Sequence, residues 1–166
     1  MSIDTLRGTL ALNPNDNQGI RYILLDWLLE AGALPEAAAL HAAYEEDSSA
    51  AWRYAATLLA FRQGGAAAAL PVLTAALANN PHVPGLLLGR QAMPAEDPKY
   101  YSPGDASEAA VYCQTGAAGW RAAPGALEWL AEAAPAAAAA PAKPKRKPKA
   151  RAETSAVTQT DDSHPC

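Results

Sequence analysis

Cysteine is nearly missing from this chain. Two occur, Cys113 and Cys166, far apart and with the second as the last residue. That spacing excludes a disulfide framework and a C-x-x-C metal pair. Aromatic residues are scarce at 7%, and alanine dominates the 50% of residues that are apolar. Alanine favours helix and buries little area, so the expected core is one of closely approaching helices rather than bulky side chains. A long apolar run is lacking too. Residues 63–89 carry no formal charge, but Gln63, Asn79, Asn80, Pro81, His82 and Pro84 interrupt them. An unbroken apolar segment of about 20 residues, as a membrane span requires, is therefore not expected. The first residues, "MSIDTLRGTLALNPND", have no charged-then-apolar signal pattern. These absences predict a soluble, cytoplasmic protein with no membrane partner.

Catalytic patterns are missing as well. His41, His82, His164 and the two cysteines have no zinc-site spacing. No glycine-rich loop surrounds a lysine, as a phosphate loop would need. The serines lack a Gly-x-Ser-x-Gly context, and Cys113 has no histidine near it in sequence. The adjacent acids Glu45, Glu46 and Asp47 read as a solvated turn rather than a paired general acid and base. The chain is read as a non-enzyme without cofactor or metal, and no catalytic, cofactor-binding or metal-ligating residue is assigned.

What is present is organisation. The 166 residues leave room for one domain and a tail. The net charge of −4 hides an asymmetry. Residues 1–141 hold 7 Lys/Arg against 14 Asp/Glu, or −7, and residues 142–152 hold 6 basic residues and no acid, or +6. The basic run is spaced by prolines and comprises Lys143, Lys145, Arg146, Lys147, Lys149 and Arg151. Prolines oppose a helix there, so residues 135–166 are expected to be disordered, with residues 1–134 as the folded domain. Six cations on such a strand could contact nucleic-acid phosphates without reading base sequence.

Polar breaks recur along the body. "LNPNDNQGIRY" (12–22) follows an Ala/Leu run, and "NNPHVP" (79–84) repeats the Asn-Pro break. Pro14 to Asp47 is 33 positions and Asp47 to Pro81 is 34. A period near 34 with two helices per unit is the mark of tetratricopeptide-type repeats. The first unit pairs helices at about 17–31 and 35–45. The second begins at a cap, Ser48 or Ser49, is stopped by Gly64-Gly65, and resumes from about 66 to 78. Pro71 is expected in the first turn of that resumed helix. Residues 3–12 form a further helix. In the 12–22 joint, Asn13 closes a helix, Pro14 prevents its continuation, and Asn15, Asp16 or Asn17 caps the next. Gly19 is expected to let a neighbouring helix come close. Further on, Asp105 or Ser107 caps a helix to about 122, and Pro124 opens a last one to about 134.

The segment "ALANNPHVPGLLLGRQAMPAEDPKYYSPGDASEAAVYCQTGAAGWRAAPGALEWL" resembles the suppressor of tumorigenicity 7 family. The residues that carry the resemblance are Asn80 to Pro84, Leu86 to Leu88, Gly104 to Ala109, Trp120, and Gly125 to Leu127. A looser match upstream extends it over about 10–133. The resemblance implies a helical, tetratricopeptide-like protein with no catalytic residues to carry over.

The fold expected from these readings is all-α: tetratricopeptide-like helical hairpins in an α-solenoid fragment, with a disordered C-terminal tail. The expected function is non-catalytic protein–protein interaction, with a concave face holding a peptide or partner helix. Arg21 and Tyr22 on one first helix, and Arg53 and Tyr54 on the next, are expected to line or border that face. The alternative is a nucleic-acid-associated protein that binds through its basic tail. A third reading is a shortened, low-specificity form of a longer array.

Overall fold

A computed structural model of the protein describes residues 1–96, 98 and 100–134. The segment 135–166, including Lys143, Lys145, Arg146, Lys147, Lys149 and Arg151, lies outside the described residues. Among those described there are seven helices and no strand, as the three-to-four apolar spacing predicts. They are α1 (Ile3–Leu12), α2 (Ile20–Ala31), α3 (Leu34–Ala43), α4 (Ala50–Asn79), α5 (Val83–Leu87), α6 (Ala106–Ala122) and α7 (Ala126–Ala133).

Local chemistry accounts for their ends. Asn13 closes α1, its N–H bonded to the carbonyls of Thr9 and Leu10. Asp16, in the left-handed region at φ 46°, then turns the chain so that its carboxylate accepts from the N–H groups of Ile20 (2.6 Å) and Arg21 (3.0 Å). Of the three candidate caps, Asp16 does this work. Gly19 has a different role from the one expected. It takes φ 69° just before α2, and the atoms nearest a Cβ there belong to the Tyr22 ring, not to another helix. Ser49 caps α4 by accepting from the N–H of Trp52 at 3.3 Å, and Asp105 caps α6 by accepting from Ser107 and Glu108.

Helix α4 consists of two arms. Gly65 sits at φ 71°, ψ −166°, a conformation closed to side-chain-bearing residues, and breaks the helix between 50–64 and 66–79. Pro71 falls five residues past the start of the second arm, beyond the first turn where it was expected. Its ring there removes the N–H that would bond the Ala67 carbonyl. By length and mean hydropathy (1.2), α4 as a whole meets the criterion for a membrane-crossing helix, although the break divides it.

Helix α2 is the hub, packing against α1, α3, α4 and α6. It buries Leu24, Leu25, Leu28 and Leu29. Its contact with α6 departs from an open stack, in which a unit touches only its neighbours. Gly119 permits the approach: a Cβ there would lie 3.3 Å from Leu58 Cδ2 and 3.5 Å from Leu29 Cβ. Helix α6 thus covers part of the α2 and α4 surface that was expected to form an open concave face.

Two aromatic clusters supply the bulk that alanine cannot. Trp52, 1% exposed, is stacked on His41 and met edge-on by Tyr22 and Tyr44. Tyr112 and Trp120 lie in the interior of α6, joined by a 3.0 Å bond from the indole N–H to the phenol oxygen, with Tyr54 beside Tyr112. Tyr101, in the loop before α6, is exposed. Arginines close two helix ends. Arg62 donates to the Leu29 carbonyl of α2, and Arg90 donates to the Ala131 and Ala134 carbonyls, each at 2.9 Å.

Candidate functional site: a cleft where three helices begin

The first residues of α2, α4 and α6 converge on one open cleft of about 680 Å³. Its walls include Asn15, Arg21, Tyr22, Tyr44, Asp47, Ser48, Asn79, Tyr101 and Glu108. Helix N-termini present unpaired N–H groups and a partial positive charge. Three of them in one place require acceptors, and the carboxylates here supply them. Asp16 serves α2 as described. The Glu108 carboxylate accepts from the N–H of Ala50 (2.9 Å), the N–H of Gly104 (2.7 Å) and the Asn80 side chain (3.1 Å). It thereby ties the starts of α4 and α6 to the loop after α4, and it is 6% exposed.

Asp47 is the centre of the cleft wall. Its carboxylate accepts from the Tyr22 hydroxyl (2.6 Å), from the Arg21 guanidinium (2.8 and 3.2 Å) and from the Ser49 N–H (2.9 Å). Burial alone would raise its pKa, but the bonds from Tyr22, Ser49 and Arg21 outweigh that and hold it at about 2. The same environment, burial first and then Asp47, raises the Tyr22 phenol. Arg21 also donates to Asp16 at 3.2 Å and to the Tyr22 oxygen at 2.8 Å. Its guanidinium carbon lies 4.5, 5.1 and 5.9 Å from the ring centres of Tyr22, Tyr44 and Trp52. The arginine is braced on two carboxylates and three rings, which fixes the wall.

The four residues singled out for a binding face separate. Arg21 and Tyr22 line the cleft. Arg53 is exposed but is not among the cleft walls. Tyr54 belongs to the core, with its hydroxyl donated to the Asn80 carbonyl at 2.6 Å, because it falls on the face of α4 turned toward α6. Asp47 and Glu108 carry the junction, yet from sequence they read as a solvated turn and a first-turn acid. The signal available for Asp47 was its place just before the α4 cap, where an acid complements a helix start. Glu45 and Glu46 are exposed, as a solvated turn requires.

No group of three or more His, Cys, Asp or Glu residues with metal-holding geometry occurs among the described residues. No protein-family model, no curated protein and no solved structure matches the chain.

Proposed function

We propose that this protein is a non-catalytic protein–protein interaction module, an adaptor or scaffold, that takes an extended peptide in the cleft at the start of α2, α4 and α6. The observation that carries the reading is the makeup of the cleft. Its open walls offer Tyr44, Tyr101, Ser48 and Asn15, residue types that bury contact area and adapt their hydrogen bonds, on a backing held rigid by Arg21 and Asp47. A volume of about 680 Å³ suits several peptide side chains. Asp47 stays ionised and saturated with donors, and Glu108 is occupied by backbone and amide N–H groups, so neither is free as a general acid or base. On this reading α2 with α3, and the two arms of α4, are successive tetratricopeptide-like hairpins of a cytoplasmic, membrane-free protein, with α6 folded against them.

Ser48 provides the test, because it lines the cleft and its side chain is exposed. Ser48→Trp would fill the opening without touching the internal bonds. Peptides selected from an unbiased library on the whole chain should lose binding to Ser48→Trp while its melting temperature stays unchanged. Binding that survives the substitution would move the interaction away from the cleft. The basic run at 142–152 favours a second reading, nucleic-acid association through the tail, whose signature is steep salt dependence.

A further inference from the structure

A single acid, Asp26, sits in the apolar run "IRYILLDWLL" and is 5% exposed at the contact between α2 and α6. Its hydrogen bond comes from the Thr115 hydroxyl of α6, at 2.5 Å. The titratable groups that face it are Tyr112 and Cys113, also on α6. Both are neutral: burial raises the Tyr112 phenol, and burial followed by Asp26 pushes the Cys113 thiol up to about 12. Among the described residues no cation pairs with Asp26, and Arg7 of the adjacent α1 is paired with Asp4 and Glu36. Arg21 binds Asp16 and Asp47, and Arg62 binds the Leu29 carbonyl. A buried carboxylate with one hydroxyl donor and no cation is strongly disfavoured, whereas a neutral carboxyl is tolerated.

We propose that the α2–α6 seam is a proton-controlled latch: neutral Asp26 keeps the C-terminal half of α6 seated on α2, and loss of its proton to water unseats it. The placement of the other contacts confines the movement. The start of α6 is tethered independently through Glu108 to Ala50, Gly104 and Asn80. Beyond Thr115, Gly119 packs against Leu29 of α2 and Leu58 of α4 with Trp120 fully buried beside it, and among the described residues no hydrogen bond or ion pair joins this stretch to α2. Unseating this half lets water reach Asp26 and uncovers the Leu29–Leu58 face. Burial pushes the Asp26 carboxyl up to about 7, with Thr115 offsetting part of the rise, which places the change near neutrality.

The sign follows from proton linkage. The seated form binds the Asp26 proton between the solvated carboxyl value of about 3.9 and the seated value, so raising the pH across that interval favours release. The opening equilibrium should rise about tenfold between pH 6 and 8 and about a hundredfold between pH 5 and 8, then level off. Hydrogen exchange of the full chain, corrected for the intrinsic pH dependence, reads this as lost protection of amides 113–122 while α1 and α3 amides keep theirs. Asp26→Asn, matched in shape but uncharged, should hold α6 protected at a constant level. Thr115→Val, which removes the bond favouring the charged form, should move the midpoint upward. Constant protection of the wild-type seam from pH 5 to 8 would overturn the latch. So would an unchanged slope in Asp26→Asn, or loss of α1 and α3 protection in step with α6.

Discussion

Replacing Trp52 tests the packing that joins α2, α3 and α4. The side chain is 1% exposed, stacked on His41 with ring centres 5.2 Å apart, and met edge-on by Tyr22 and Tyr44 at 5.6 and 6.1 Å. Burying an indole removes roughly 200 Å² from water, worth about 5 kcal/mol at most by area. Truncation to alanine also strips three rings of their partner. Against this stands the Trp52 indole N–H, which is buried with no hydrogen-bond partner and so destabilises the native protein by about 1–3 kcal/mol. Trp52→Ala should cost about 3–5 kcal/mol, a large share of an ordinary domain's stability. Trp52→Phe keeps much of the stacking and removes the orphaned donor, so it should cost less than half as much. Urea denaturation followed by far-UV circular dichroism measures both without relying on the lost fluorophore. A cost below about half a kcal/mol for Trp52→Ala would refute burial at this joint. Equal costs for the two variants would refute the ring stacking on His41 that phenylalanine is expected to keep.

Three further outcomes are expected. Asp47→Asn should remove about 2 kcal/mol at neutral pH; because the native pKa lies near 2, this contribution is present above about pH 4 and lost as the pH falls toward 2, which flattens the acid limb of stability. Glu108→Ala should destabilise by about 1–3 kcal/mol for each buried donor left short of an acceptor, at Ala50 and Asn80, and hydrogen exchange should report it first at the starts of α4 and α6. Ending the chain after Ala134 should leave the melting temperature within a degree or two. If the tail contacts DNA, that cut should also abolish a weak, salt-sensitive affinity shown by the whole chain, whereas equal DNA binding by both forms would exclude the tail.

The helices were legible because their ends are written in short-range chemistry. Asn13-Pro14, Ser49, Gly65 and Asp105 act on neighbours within a few residues, so the sequence places them. Pro71 was misplaced by a turn: the second arm continues through it with the ring exposed, despite the local cost. The return of α6 onto α2 was not legible. It depends on Gly119 meeting Leu29 and Leu58, contacts some 60 to 90 residues apart that no periodicity encodes. Arg21 and Tyr22 could be picked out as polar residues at the start of an apolar helix. Asp26 was passed over, although a lone acid on the apolar face of a helix is itself a signal, since a charge there needs either a partner or a proton.

The carboxylates of the cleft are close together, and each is already engaged by donors of the fold. Each accepts from groups that the fold must satisfy: Asp16 from the start of α2, Asp47 from Arg21, Tyr22 and the α4 cap, Glu108 from the starts of α4 and the loop before α6. A catalytic acid or base needs a lone pair or proton left over for substrate, and a pKa near the working pH. Asp47, held at about 2 and bonded by several donors, has neither. Asp26 differs on both counts, with one hydroxyl donor and a carboxyl raised to about 7, but it is buried in the α2–α6 contact and is not part of the wall of the cleft described above. Its proton is the one the proposed latch places on the seating of α6. The cleft groups outside those bonds include the Tyr101 ring and the Ser48 hydroxyl, and the proposed peptide site rests on them.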